Sequence, residues 1–238
     1  MSIKAVLFDL DGTLLPMDQE LFIKTYFGRI AAWMSKHGYD PKTLVSAIML
    51  GTRDMIQNDG STTNEQVFWN AFCGVFGERS LEDMKHFEAF YAEDFDNVRP
   101  SCGYDKRAAQ TIKKIKEMGF VTALATNPVF PPIATEKRMG WAGLSPSDFA
   151  LYTTYENSSH CKPNPEYYLD VARSLGVAPE ECLMVGNDVS DDMVAARVGM
   201  DVFLLTDCLI NKFGEDVSVY PNGSFEQLLE YIEHKIES

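Results

Sequence analysis

Ile3-Lys4-Ala5-Val6-Leu7-Phe8-Asp9-Leu10-Asp11-Gly12-Thr13 is the stretch on which the reading of this chain turns. Its apolar run reads as a buried strand. The run stops abruptly at two carboxylates two residues apart, followed by a glycine and a hydroxyl. Side chains at i and i+2 of an extended chain point to the same side. Asp9 and Asp11 can therefore face one pocket at the strand mouth, with Thr13 beside them. Two like charges held that close repel, and a cation or a shared proton must compensate them.

Beyond Thr13 the texture changes to long helical patterns, with no clear strand until about residue 119. Leu21, Phe22, Tyr26, Ile30, Trp33 and Met34 recur at helical spacing. Asp40-Pro41 marks a helix start, with proline at the first helical position, and that run is predicted to end near Gly51. Further helices are predicted from about Thr63, with Val67, Phe68, Ala71 and Phe72 on one face, and from Ser80 to about Phe95. Strand and helix then alternate. Helices are expected over Asp105–Met118, Pro131–Met139, Pro165–Leu175, Asp191–Val198 and Ser224–Ile236. Strands are expected over Phe120–Ala125, near 149–152, and over Glu181–Gly186 and Asp201–Leu205. Such alternation predicts an α/β fold with a parallel sheet covered on both faces. The first strand belongs with it. The expected organisation is a core of residues 1–15 and 98–238, interrupted by an all-helical insertion at residues 16–97. Arg99-Pro100-Ser101-Cys102-Gly103 reads as the return linker.

Composition narrows the class. The 238 residues carry 45% hydrophobic side chains, enough for a sizeable core, and a formal net charge of −14. That balance argues against nucleic acid and against an anionic membrane surface, since both need clustered Lys and Arg. The five cysteines, Cys73, Cys102, Cys161, Cys182 and Cys208, are odd in number and form no C-x-x-C pair. A disulfide framework or zinc site is therefore not expected, and a reducing compartment fits. The four histidines show no metal-ligand spacing. With no apolar targeting segment at the start and no run approaching the ~20 residues that span a bilayer, a cytoplasmic protein is expected.

In open parallel sheets ligands bind beyond the carboxyl ends of the strands. Asp9, Asp11 and Thr13 follow the first strand; Thr126 and Asn127 follow the second. His160, Cys161 and Lys162 come after the short strand, and Asn187, Asp188, Asp191 and Asp192 after Met184-Val185-Gly186. The set supplies carboxylates, a hydroxyl, an amide and one ammonium, which suits phosphoryl transfer. One carboxylate can attack phosphorus, and a second can protonate the leaving oxygen and later activate water. Magnesium, a hard cation with few protein ligands, suits the neutralisation this requires. The ammonium, hydroxyl and amide can hold the transferring group.

The order of these groups resembles the haloacid dehalogenase-like (HAD) hydrolases. Asp9-Leu10-Asp11-Gly12-Thr13 resembles that family's D-x-D-x-T motif; Thr126 resembles its second motif, Lys162-Pro163 its third, and Asp188 with Asp192 its acidic fourth. The resemblance implies a Rossmann-like core with an inserted helical cap of the C1 type. It implies a magnesium-dependent phosphatase that hydrolyses a small phosphorylated metabolite through an aspartyl-phosphate. Asp9 would be nucleophile and metal ligand. Asp11 would be general acid/base, with its main-chain carbonyl on the metal. Thr126 and Lys162 would bind the phosphoryl group, with Asn127 as a further donor, and Asp188 would be the acidic metal ligand. Asp192 would orient Lys162 or metal-bound water, and Thr13 is a supporting group. Asp11 favours phosphate chemistry over dehalogenation, because a departing halide needs no proton. The roles of Asn187, His160 and Cys161 stay open.

Other readings of the same residues are a phosphomutase, which shares the first half-reaction, and, from a different class, a phospho-accepting signalling or binding domain. Receiver domains of that class are usually half this length and lack a helical cap.

Overall fold

A computed structural model of the chain describes residues 3–237. Six parallel strands form one sheet in the order β3-β2-β1-β4-β5-β6. They are β1 (Ala5–Phe8), β2 (Val121–Leu124), β3 (Leu151–Tyr152), β4 (Cys182–Gly186), β5 (Asp201–Leu205) and β6 (Asn222–Gly223). β1 runs between β2 and β4, with Phe8 paired to Leu124 on one side and Val185 on the other. Every residue of β1 is buried. That is the condition under which a strand reads as an unbroken apolar run.

Alternate residues of β1 feed two cores. Ala5 and Leu7 pack with Tyr167, Tyr168 and Val171 of α8 (Pro165–Leu175). Val6 and Phe8 pack on the opposite face, in a cluster that includes Ile112 and Ile115 of α6 (Lys106–Glu117) and Leu228 and Ile232 of α9 (Phe225–Glu237). The second cluster continues without a break into the insertion.

The insertion holds α1 (Gln19–Ser35), α2 (Pro41–Ile56), α3 (Asn64–Phe76), α4 (Arg79–Glu82) and α5 (Met84–Glu93), and it leaves the sheet after β1 and returns before β2. Its three longest helices start where the chain supplies caps. Asp18, Asp40 and Thr63 each accept a hydrogen bond from a backbone N–H three residues on. Buried aromatic side chains hold it together, including Phe22, Tyr26, Phe68, Phe72, Phe87 and Phe90. α2 runs on past Gly51, where the sequence predicts a stop. Gly51 is there to let a neighbour close in, because a Cβ on it would lie 2.6 Å from the Phe68 ring. The helix expected over Ser80–Phe95 is instead two helices that meet at Asp83, and the linker winds into a 3-10 helix over Phe95–Ser101. Among the described residues no helix is long and apolar enough to cross a membrane.

Candidate active site

After β1 the chain must leave the sheet sharply, and main-chain bonds fix how it does so. The N–H groups of Thr13 and Leu15 both donate to Leu10 O, at 3.2 and 2.8 Å, and Gly12 N donates to Leu15 O at 2.8 Å. Gly12 adopts φ +88°, and a Cβ there would run into the Asn187 amide. Asp9 N donates to Val185 O on β4 at 2.9 Å, which pins the first carboxylate at the mouth of the sheet.

Lys162 enters from the loop before α8, and its side chain is 1% exposed. Its Nζ lies 2.9 Å from Asp9 Oδ1 and 2.6 Å from Asp192 Oδ1. Burial works against a charged lysine, but Asp192 and Asp9 outweigh it and hold the ammonium well above its ordinary value. Burial pushes the Asp192 carboxyl up to about 7, with Lys162 opposing the rise. Asp192 Oδ2 accepts from the N–H groups of Asn187 and Asp188, both at 3.0 Å, so this carboxylate ties the loop after β4 to Lys162. Asp188 Oδ1 accepts from Ser190 N at 2.8 Å and Asp191 N at 3.1 Å, and its Oδ2 lies 3.5 Å from Lys212 Nζ.

Asp11 has a different partner. Its Oδ2 is held by the guanidinium of Arg138, on α7 (Pro132–Trp141). Arg138 is 1% exposed and lies over the Phe130 ring, 4.4 Å from its centroid. Asp11 Oδ1 is buried with no protein partner. Burial raises the Asp11 pKa; Arg138 offsets part of the rise and Asp9 adds to it.

Thr126 follows β2, and its carbonyl is clamped by Thr153 Oγ1 at 2.6 Å and Tyr167 Oη at 2.8 Å. That leaves its side chain on the wall of a cavity of about 1080 Å³, which Asp9, Asp11, Asn127, Lys162, Asp188 and Asp192 also line. The cavity thus gathers residues that lie up to 183 positions apart in the chain.

Thr13 stands behind this wall. Its Oγ1 lies 2.8 Å from Asn187 Oδ1 and 3.2 Å from Asp9 Oδ2, and Asn187 Nδ2 donates to Cys208 O at 2.7 Å. Asn187 is therefore a tie between three loops. His160 turns away from the cavity to Asp170, with Nδ1 2.7 Å from its Oδ2. Cys161 is buried, its thiol pushed up to about 12 by that burial, and it also lies off the cavity.

Two residues matter that the motifs do not mark. Arg138 shares a helix stripe with Ala134 and Trp141, all three buried, and a charge inside an apolar stripe is the signal that could have found it. Asn64 is completely buried at the start of α3. Its Nδ2 reaches Pro128 O at 3.2 Å, His160 O at 3.4 Å and Cys161 Sγ at 3.3 Å, and its Oδ1 accepts from Asn58 Nδ2 at 2.8 Å. The N–H groups of Asn64 and Glu65 donate to Ser158 O and Tyr155 O, both at 2.8 Å. The insertion is thereby seated on the loops that carry Asn127 and Lys162.

Known proteins resemble this chain in sequence and in fold. The pyrophosphatase PpaX of Bacillus velezensis is 24% identical over 197 residues, 83% of this chain and 80% of that protein. YhcW of Bacillus subtilis is 43% identical over 85 residues, so this chain spans only 37% of that relative's length. The fold is that of a HAD family enzyme from Bacteroides thetaiotaomicron solved in complex with magnesium and inorganic phosphate, at 19% identity and a TM-score of 0.54, covering 92% of this chain and 98% of the other. The haloacid dehalogenase-like hydrolase family model matches residues 3–199, and the chain belongs to that family.

Proposed function

We propose that this chain is a magnesium-dependent phosphatase that hydrolyses a small phosphorylated metabolite through an aspartyl-phosphate. The observation that carries the reading is Lys162, a buried ammonium bridging Asp9 and Asp192 at the mouth of the central strand. A carboxylate facing a fixed cation on a cavity wall can approach an anionic phosphate.

The donors present fit magnesium. The carboxylates of Asp9 and Asp188 and the main-chain carbonyl of Asp11 would hold it, all of them hard oxygens. Among the described residues no three His, Cys, Asp or Glu side chains form a metal cage. A partial set of this kind suits an ion that keeps positions for water and phosphate. When bound, the ion would draw negative charge from the phosphoryl oxygens.

The chain's own groups account for the remaining steps. Lys162, Thr126 and Asn127 hold the non-bridging oxygens. An Asp9 oxygen attacks phosphorus as the bond to the leaving alcohol breaks, and the departing oxygen takes the proton of Asp11. Burial favours that proton on Asp11, and Arg138 steadies the carboxylate left behind. In the second step Asp11 takes a proton from water, whose oxygen attacks phosphorus. The bond to Asp9 breaks, and inorganic phosphate departs. Residues 16–97 serve as the cap that closes over these steps and excludes water.

Substitution Asp9→Asn tests the assignment. It should abolish phosphate release from p-nitrophenyl phosphate while leaving the melting temperature within a few degrees of the parent. Retained turnover in a folded variant would remove Asp9 as nucleophile.

A further inference from the structure

The geometry points to a specific substrate class for this site: phosphate monoesters whose leaving alcohol is uncharged and predominantly apolar. The inference rests on the phosphatase reading above, because it takes the phosphoryl group to sit between Asp9 and Lys162.

With phosphorus attacked by Asp9, the leaving oxygen must lie opposite, toward Asp11, and the alcohol continues into the space under the insertion. That space is walled by Phe22, Tyr26, Ile48, Phe68, Trp69 and Phe130. The hydroxyls of Tyr26 and Tyr91 lie 2.8 Å apart and share one hydrogen bond, which leaves a single O–H of the pair for a substrate. At about 1080 Å³ the cavity is large for a phosphate with two or three carbons, and matches the upper end of sites for much bulkier ligands.

Charge on the lining points the same way. Its cations, among the described residues, are Lys162, Lys85 and Arg53. Lys162 is engaged by Asp9 and Asp192. Lys85 is exposed, and Arg53 is exposed and paired with Asp54. Arg138, the buried guanidinium nearby, is held by Asp11 and does not line the cavity. Glu65 and Glu156, both half-buried, do line it. An anionic leaving group, such as the phosphate expelled from pyrophosphate, would meet carboxylates there and no free buried cation.

The lining also includes Ile23, Met49 and Ile56, which are 50%, 57% and 41% exposed. Large apolar side chains left open to water on a concave surface mark a place where apolar ligand is to be covered.

A series of n-alkyl monophosphates from ethyl to hexyl tests the inference, because leaving-group acidity barely changes along it while apolar area grows. With magnesium supplied, kcat/KM should rise about three- to fourfold per methylene, the factor expected for burying each group. Hexyl phosphate should be turned over faster than pyrophosphate, and Met49→Lys should lower the hexyl-to-ethyl ratio. A flat or falling series, or a preference for pyrophosphate, would overturn the substrate class and leave the phosphatase reading standing. No phosphate release from any monoester, aryl or alkyl, would overturn both.

Discussion

Replacing Lys162 by methionine removes a cation that two carboxylates enclose. Its Nζ lies 2.9 Å from Asp9 and 2.6 Å from Asp192, and 1% of its side chain is exposed, so methionine fills the space without replacing the charge. Breaking one partner out of a buried ion pair costs about 3–5 kcal/mol, because the remaining charge is left uncompensated. In a chain of this length each kcal/mol moves the melting temperature by about 2–4 °C, so Lys162→Met should lower it by about 6–20 °C near neutral pH. The deficit should depend on pH in a defined direction. Burial already raises the Asp192 carboxyl to about 7, and loss of the ammonium that opposes this raises it further. A group whose folded pKa is raised stabilises the fold while it keeps its proton, and that contribution disappears as pH rises through the folded pKa. The deficit should therefore be smallest in acid and largest above neutrality. Adding Asp192→Asn to Lys162→Met removes the stranded charge, keeps an acceptor for the two backbone N–H groups, and should recover part of the loss. The assay is thermal unfolding by circular dichroism, in chelator, from about pH 5 to about pH 8, on the parent and both variants. A fall of less than about 2–4 °C, or a deficit that ignores pH, would refute the claim that charge compensation at Lys162 holds this site together.

Other perturbations probe neighbouring links. Arg138→Met deletes the cation that lowers the Asp11 pKa, so the alkaline limb of the kcat/KM profile should move to higher pH; an unmoved limb would disqualify Asp11 as the acid. A Cβ at Gly186 would overlap the Asp192 carboxylate, so Gly186→Ala should cost about 1–3 kcal/mol and depress kcat. Gly28→Ala, in open space on α1, should be neutral or slightly stabilising in the same unfolding assay. Stripping divalent cations with a chelator should stop phosphate release; magnesium should restore it and calcium should restore it poorly, since calcium demands more ligands at longer distances.

The sheet was legible because a parallel strand buried on both faces leaves an apolar run, unbroken in β1, β4 and the last four residues of β5 and interrupted in β2 only by Thr122. β6 is two residues, Asn222 and Gly223, with nothing apolar to mark it, and it shows only once it lies beside Leu204 and Leu205. The stretch expected as a helix over Asp191–Val198 winds as a 3-10 helix from Met193, after a turn that is bound to the site through Asp188 O and the Asp192 carboxylate. Local pattern gives no warning of such tertiary bonds. Asp9, Asp11, Thr126, Lys162 and Asp188 could be picked out as candidates because parallel topology brings loops after strands to one edge. Arg138 and Asn64 reach the same region from helices, where a polar residue on a buried face looks like an exception to the pattern until its partner is seen.

Asn64 works like a keystone between separate pieces of masonry. One amide side chain grips the carbonyl of Pro128 and the carbonyl and sulfur of the His160–Cys161 pair, and is itself gripped by Asn58. At 3.2–3.4 Å the contacts of its Nδ2 are long, so the joint rests on the whole set together with the 2.8 Å main-chain bonds of Asn64 and Glu65. Lifting the helical lobe would have to break this whole set, because all of it meets at the first two residues of one helix. The Asn127 and Lys162 loops would then lose a shared anchor.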